Sequence, residues 1–421
     1  MTRYSKALSA LIDQALLSAT VFATGFLLAR STEPQEFGTY VLVFQTLLFS
    51  GGFQSALVSQ PMVVLGQRSD TEFRSYASSL ASASVVASTG MAAVIFASSR
   101  WAPAHFAASL HVLAISIIFV QGQEFCRQVL FAQRLPAHVL ANDLVCCAAR
   151  MAALAWMWRT STLSAPMVLL AIGASSGLGL AIGLIQIRRW VRPVSPRACH
   201  LLENWQFGRW VLGTYLAGSL LLFGNTAVVA AMAGAAAAGT LEAHRLILAP
   251  IQVLATGAVS VLAPELARVY SQAGREALVR MVRLISGPLA LAFISYATAV
   301  GVAPNLWLSV LYPGKYAGTA TVLVLSTLAY AVAGLRVLPW AALSAQRRPD
   351  LGMWAGLVAG VLSLFLTGLL THTSGLAGAA SARLIGEIIL FGSGIELTRR
   401  LMRPTRIEGG CNEQMPHVRV L

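Results

Sequence analysis

The chain has 421 residues, 57% of them hydrophobic and only 11% charged, and a mean hydropathy of +0.70. Soluble domains run roughly 45–50% apolar and about 25% charged, which excludes a dispersed cytosolic enzyme. Basic residues outnumber acidic ones 30 to 16, a formal charge of +14, and their placement decides whether that excess concerns nucleic acid or membrane topology.

A helix crosses a bilayer with about 20 mainly apolar residues, and windows of that kind occur twelve times. The first half holds spans near 8–29, 39–65, 75–98, 107–126, 138–158 and 165–187. The first follows Arg3 and Lys6, as a signal peptide would. Its apolar run is longer than a signal-peptide core and includes Asp13 and Gln14, so it reads as an uncleaved helix. The second ends near Gln60-Pro61 and is long enough to be tilted or broken. The second half holds spans near 210–231, 241–263, 285–304, 318–342, 351–371 and 376–398. The expected fold is all-α, a polytopic membrane protein with about twelve transmembrane helices. Lobes of six helices at 1–187 and 210–398 flank a polar cytoplasmic connection at 188–209, and a basic tail at 399–421 follows.

With the N-terminus inside, the cytoplasmic segments hold 22 Lys and Arg residues and the outside loops hold four. Basic residues are retained on the cytoplasmic side, so both termini are expected there. The bias accounts for most of the net charge without nucleic acid. Trp101, Trp158, Trp190, Trp210, Trp307 and Tyr312 sit near span ends, as interfacial anchors do. Cys126, Cys146 and Cys147 lie in apolar stretches, Cys199 and Cys411 in basic segments, and none has the C-x-x-C spacing of a zinc or redox site.

The two halves echo each other. Ala132-Gln133-Arg134-Leu135-Pro136 recurs as Ala345-Gln346-Arg347-Arg348-Pro349. Arg188-Arg189-Trp190-Val191-Arg192-Pro193 recurs as Arg399-Arg400-Leu401-Met402-Arg403-Pro404, and Gly38-Thr39-Tyr40 has a weaker copy in Gly239-Thr240-Leu241. The offsets lie between 201 and 213 residues, which is six helices, so the halves share one orientation. Parallel repeats are related by an axis along the membrane normal, and two lobes facing each other across a central cavity are expected.

Within the spans a charge is expensive, on the order of 2.5–3.5 kcal/mol on insertion scales. Such residues therefore need a partner or a wet cavity. The inventory is Asp13, Asp143, Arg150, Glu242, Arg245, Arg336, Arg383 and Glu387, while Glu124 and Arg127 read as interfacial. Asp143 and Arg150 are too far apart for direct pairing along a straight helix. Arg383 and Glu387, at i and i+4, can pair directly, and Glu242 can neutralise Arg245 three residues on. Arg336 has no acidic neighbour within four positions, so a distant helix or an anionic ligand has to satisfy it. The surplus of arginine points to an anionic substrate, because guanidinium binds phosphate bidentately and stays charged when buried. Asp13 could be a proton or sodium site or a polar residue near the start of its helix. His244 could titrate or serve as a plain polar contact. There is no phosphate-cradling glycine loop, no H-E-x-x-H and no nucleophile elbow.

The opening run ALLSATVFATGFLLARSTEPQEFGTYVLVF, with Ala29-Arg30, Pro34 and Phe37-Gly38-x-Tyr40, resembles the start of Wzx-type polysaccharide flippases. These belong to the multidrug/oligosaccharidyl-lipid/polysaccharide exporter superfamily. Ala243-His244-Arg245-Leu246, followed by Pro250, is similar to the corresponding helix of lipid II flippases, with His244 where Asp is common and Leu241 where Tyr is common. Twelve spans rather than fourteen favour the polysaccharide branch.

The resemblance implies a transporter rather than an enzyme, in the bacterial inner membrane. Its substrate would be an undecaprenyl-diphosphate-linked oligosaccharide of an O-antigen, lipopolysaccharide or exopolysaccharide pathway. Polysaccharide polymerase and chain-length regulator are the implied partners, with no bound cofactor and with H+ or Na+ as coupling ion. Carried over by position, Arg245 and Arg30 meet the diphosphate, whereas Arg150, Arg336 and Arg383 follow from the charge inventory. Asp13, Asp143 and Glu387 are the candidates for ion coupling. A membrane-embedded polymerase or ligase and a multidrug exporter remain the alternatives. The former usually has a large outside loop, and the latter prefers acidic cavity residues.

Overall fold

A computed structural model describes residues 3–66, 68–192, 197–346 and 349–402. Arg347, Arg348, Arg403, Cys411 and the rest of the tail beyond 402 lie outside the described residues. Helices α1 (Arg3–Ser31), α2 (Pro34–Gln54), α3 (Gln60–Leu65), α4 (Asp70–Ser98), α5 (Ala104–Ala132), α6 (Pro136–Arg159) and α7 (Ala165–Ile187) make the first six crossings. The second six come from α8 (Ala198–Ser219), α9 (Asn225–Ala233), α10 (Ala235–Ile247), α11 (Ala249–Val302), α13 (Ala320–Leu335), α14 (Val337–Ala345) and α15 (Pro349–Met402), with the short α12 (Pro304–Leu311) between crossings.

By length and composition, nine helical stretches among the described residues can cross a membrane. Two features reconcile nine with twelve. The 54-residue α11 and α15 are each two helices joined at a left-handed glycine, Gly274 (φ 72°) and Gly375 (φ 56°). Other crossings are shared by short consecutive helices, namely α8 with α9, the start of α11 with α10, and α13 with α14.

Helix starts follow local chemistry. Proline, which forgoes a hydrogen bond the first turn lacks anyway, opens α2, α6, α7 and α12. Glu36 Oε1 accepts the Ala165 N–H at 2.6 Å, placing a carboxylate on the N-terminus of α7. The second crossing is not broken: Pro34–Leu65 runs as one continuous helix that carries a π-helical turn, Ser55–Ser59, just before Gln60-Pro61.

The connection expected over 188–209 is helical from Ala198 onward. It docks on the first lobe: Asn204 accepts from Tyr76 and donates to the Leu57 carbonyl. Glu203 pairs with Arg68, and His200 Nε2 lies 3.1 Å from Ser75 Oγ. Desolvation and the nearby Arg68 guanidinium hold His200 below the ordinary histidine pKa. Two expected interfacial aromatics are packing residues instead. Trp190 and Tyr312 are buried, the latter donating to the Ala243 carbonyl at 3.1 Å, while Trp101, Trp158 and Trp210 are exposed.

Within the first lobe α5 packs on α7 and α4, and α1 on α6; within the second, α15 packs on α13 and α9, and α11 on α13 and α14. Gly173, Gly179 and Gly183 bring α7 against Ser116, Gln123, Cys126 and Cys146, the close approach small residues permit between membrane helices. The lobes meet most closely where α2 packs on α10, at the end of the bundle opposite the basic end that carries Arg68, Arg188 and Arg189; further along α2, Tyr215 of α8 donates to the Phe49 carbonyl at 2.9 Å. The echoed glycines meet at the α2–α10 seam. A Cβ on Gly38 would stand 1.8 Å from the Ala235 carbonyl oxygen, and one on Gly239 2.4 Å from that of Pro34. Beside them Lys315, one of only two lysines in the chain, donates to the carbonyls of Arg30 (3.1 Å) and Thr32 (2.6 Å) where α1 ends. A cation at a helix C-terminus complements its dipole. The Phe26 and Tyr312 rings close the seam at 5.9 Å.

Candidate functional site

A cleft lies between the lobes just below this seam, lined by α1, α2, α10 and the second half of α15, with Phe223 and Thr226 at its side. From α2 come Phe37, Tyr40, Val41, Phe44, Gln45 and Leu48, a spacing of three and four that puts one helix face on the cleft. From α10 come Glu242 and Arg245, one turn apart and therefore on the same side. Arg383 enters from α15. The free volume is about 90 Å³, well below the roughly 300–1,000 Å³ typical of sites for drug-sized ligands.

The two arginines differ in what they already hold. Arg245 Nε donates to Glu242 Oε1 at 2.7 Å, Nη2 reaches the same oxygen, and Nη1 lies 3.5 Å from Gln252 Oε1. Arg383 rests its guanidinium carbon 4.4 Å above the Tyr330 ring, a cation–π contact that leaves its N–H donors unclaimed among the described residues. The i,i+4 pair expected between Arg383 and Glu387 is not made. Glu387 instead accepts from Arg336 Nε at 2.6 Å, so Arg336 is satisfied by a distant helix. Arg336 lies at the break between α13 and α14 and does not line the cleft, and neither does Glu387.

The remaining expected residues lie elsewhere. Arg30 is exposed at the end of α1, and its carbonyl serves Lys315. Arg150 stays inside the first lobe, with Nε 3.2 Å from Ser175 Oγ; as the spacing implied, it does not pair with Asp143. Asp13 and Asp143 come together through a residue read as interfacial. Arg127 donates to Asp143 Oδ2 and Glu124 Oε2 at 2.6 Å each and to Asp13 Oδ2 at 3.0 Å. Gln123 Nε2 adds a hydrogen bond to Asp143 Oδ1 at 3.1 Å. Three carboxylates thus share one guanidinium between α1, α5 and α6, with Asp13 and Asp143 buried and Asp13 Oδ1 without a hydrogen-bond donor among the described residues. The sequence signal for Arg127 is the apolar run Val129-Leu130-Phe131-Ala132 after it, which carries α5 past the expected end at 126. His244 is buried, with Nε2 3.0 Å from Thr319 Oγ1, and acts as a packing contact within its lobe.

Solved structures share this fold. An inward-facing multidrug-resistance transporter of the MATE family in the MOP superfamily matches 93% of this chain and 98% of its own, at TM-score 0.77 and 11% identity. Lipid II flippase MurJ in an inward closed conformation matches 94% and 87%, at TM-score 0.72 and 13% identity. A MOP-superfamily transporter from Pyrococcus furiosus, described as having a binding pocket of reversed polarity, matches 94% of each chain at TM-score 0.63 and 13% identity. At these identities the likeness concerns the fold: two six-helix lobes in a multi-pass membrane protein. Curated protein sequences gave no match. The model of a polysaccharide biosynthesis protein family matches residues 27–303, roughly two thirds of the chain, from the end of α1 to the last helix before α12. The chain therefore belongs to the polysaccharide biosynthesis protein family, built on the fold of the MOP-superfamily transporters.

Proposed function

We propose that this protein is a flippase of the Wzx type. It moves an undecaprenyl-diphosphate-linked oligosaccharide from the cytoplasmic to the outer leaflet of a bacterial inner membrane, for assembly of an O-antigen, lipopolysaccharide or exopolysaccharide. The observation that carries the reading is Arg383, a guanidinium at the interlobe cleft whose donors no described carboxylate claims. Its fork geometry suits a diphosphate. Arg245 is the second contact and would exchange part of its hold on Glu242 for the ligand. Glu242 is already consumed by Arg245, so the cleft keeps one net positive charge, which favours an anion over the cationic drugs of a multidrug exporter.

The cleft is too small for a lipid-linked sugar as it stands, so transport proceeds by parting the lobes at one end while the other stays shut. The Gly38–Gly239 seam and the Lys315 tie hold the outer end in this reading, with both termini cytoplasmic as the basic-residue bias supports. The Asp13–Arg127–Asp143 cluster is the coupling site: one guanidinium balances at most one of its three carboxylates, so a proton or Na+ can supply part of the missing positive charge. Polysaccharide polymerase and chain-length regulator would receive the product outside.

The test is deletion in the native host with leaflet assignment of the lipid-linked repeat unit, complemented by wild-type protein or Arg383→Gln. Cytoplasmic accumulation restored by the wild type but not by the variant is the expected result. Normal outward delivery with unpolymerised units would overturn the flippase reading in favour of a polymerase.

A further inference from the structure

A second cavity, of about 460 Å³, opens at the basic end of the first lobe, where α5 ends, α6 begins and α7 ends. This volume is within the usual range of small-molecule sites, roughly 300–1,000 Å³. Two walls are basic and polar, formed by Arg188, Arg189, His138 and Gln186, and no carboxylate is among the residues that line it. The third wall is apolar, and its Ile185 is 66% exposed on the outside of the bundle, where lipid lies.

The frame is rigid. The Arg189 guanidinium carbon lies 3.7 Å from the centroid of the buried Trp190 ring, which fixes the head in place. Gln186 Nε2 lies 3.3 Å from the His138 carbonyl and ties α7 to α6. The end of α5 is closed by Leu135 N–H donating to the Leu130 carbonyl at 2.9 Å across Arg134, which adopts φ 58°. That is the six-to-one bond of a Schellman cap, with arginine where glycine is usual.

The internal repeat gives an independent reason to look here. Its two strongest segments, Ala132–Pro136 and Arg188–Pro193, are 56 residues apart at their starts, and Leu135 of the first and Arg188, Arg189 and Trp190 of the second line this cavity. In the second half the described residues of the copies are Ala345, Gln346 and Pro349, around the start of α15, and Arg399–Met402 at its end, and Thr398 Oγ1, one residue before Arg399, lies 3.3 Å from the Pro339 carbonyl of α14. Topology alone requires positive charge at this end. It does not require that two segments lining one cavity both recur, in order, in the other half of the chain.

We propose that this cavity seats the phosphate headgroup of a lipid. Arg188 and Arg189 meet the phosphate, and the hydrocarbon chain runs over Ile185 into the bilayer. With the orientation proposed above, the lipid belongs to the cytoplasmic leaflet; the binding itself does not depend on what the central cleft carries. The phosphate can come from an anionic phospholipid or from a polyprenyl phosphate carrier, and basic pockets between membrane helices on the cytoplasmic side suit either.

The experiment is native mass spectrometry of the purified, delipidated full chain titrated with phosphatidylglycerol, phosphatidylcholine, undecaprenyl phosphate or inorganic pyrophosphate. Phosphatidylglycerol or undecaprenyl phosphate, or both, should bind in preference to phosphatidylcholine. R188Q/R189Q should weaken that binding at least about tenfold, the equivalent of one charged contact. Arg74→Gln, an exposed arginine outside the cavity, should leave it unchanged. Preference for phosphatidylglycerol assigns a membrane lipid, and preference for undecaprenyl phosphate assigns the carrier. R188K/R189K, which keeps the charge and the topology signal, should recover most of the binding. The proposal is overturned by equal binding of phosphatidylcholine, by pyrophosphate binding as well as the lipids, by R188Q/R189Q binding like the wild type, or by a folded R188K/R189K variant that binds no better than the glutamine one.

Discussion

Replacing Gly38 with alanine tests whether the α2–α10 seam is what keeps one end of the transporter shut. The added Cβ would lie 1.8 Å from the Ala235 carbonyl oxygen, whereas real Cβ contacts essentially never fall below 3.0 Å. The two helices therefore have to separate by at least about 1.2 Å, and since the obstacle is backbone, no side chain can turn aside. Overpacking of this kind costs about 1–3 kcal/mol. If the cost falls only on the state with the seam closed, it shifts the population about 5- to 150-fold towards the open one. Spin labels on Arg100→Cys and Val302→Cys, at that end of the two lobes, in a background without native cysteines, report the change. G38A should move the distance distribution to longer values and impair transport while membrane insertion stays normal. An unchanged distribution with unchanged transport would refute the argument that the glycine contact closes the seam.

Lys315→Met removes two charged hydrogen bonds from the end of α1 and should shift the same distribution in the same direction by about 1–2 kcal/mol. Arg383→Gln should weaken uptake of lipid-linked substrate in proteoliposomes about ten- to hundredfold, the value of a charged hydrogen bond of about 1.5–3 kcal/mol, and Arg150→Gln should have a much smaller effect. Arg127→Gln leaves Asp13 and Asp143 buried without their cation and should destabilise the detergent-solubilised protein by about 3–5 kcal/mol. Adding Asp143→Asn should restore much of the lost thermal stability. His200 has a lowered pKa in the folded protein, so its neutral form is favoured and its contribution is present above the ordinary histidine range near pH 6.5. That contribution is lost as pH falls through the lower folded value; proteolysis in the 188–197 connection should rise there, and His200→Gln should flatten the profile.

The span pattern was legible because crossing a bilayer demands a length of apolar chain that few other structures need. The repeat was legible for a similar reason, since equal offsets at equivalent boundaries leave a trace in the sequence. What escaped was pairing at a distance. Arg336 and Glu387 are 51 residues apart and meet only because α13 and α15 pack, while the nearer partner, Arg383, turns to Tyr330 instead. Arg127 lies just beyond the expected end at 126, whereas α5 runs six residues further, to Ala132, enough to turn an interfacial residue into a buried hub. A helix end carries little signal when the residues beyond it are as apolar as those before it. The glycine echo at 38 and 239 was the weakest of the three repeat matches and turned out to be the place where the halves touch.

The glycine inside α15 has a consequence for how the protein is made. A straight helix of 54 residues would extend about 80 Å at 1.5 Å per residue, more than twice the roughly 30 Å hydrocarbon core. Gly375 turns it back on itself through a connection of only a few residues, His372-Thr373-Ser374-Gly375, before Leu376. Arms joined so tightly enter the bilayer as one hairpin, each satisfying part of the other's exposed backbone and side chains during insertion. Its orientation is set by basic residues beyond its open ends, nearest of all Arg347-Arg348 before it and Arg399-Arg400 after it. Those four arginines thereby hold both ends of the hairpin on one side, and they deliver Arg383 and Glu387 to their depth in a single step of biogenesis.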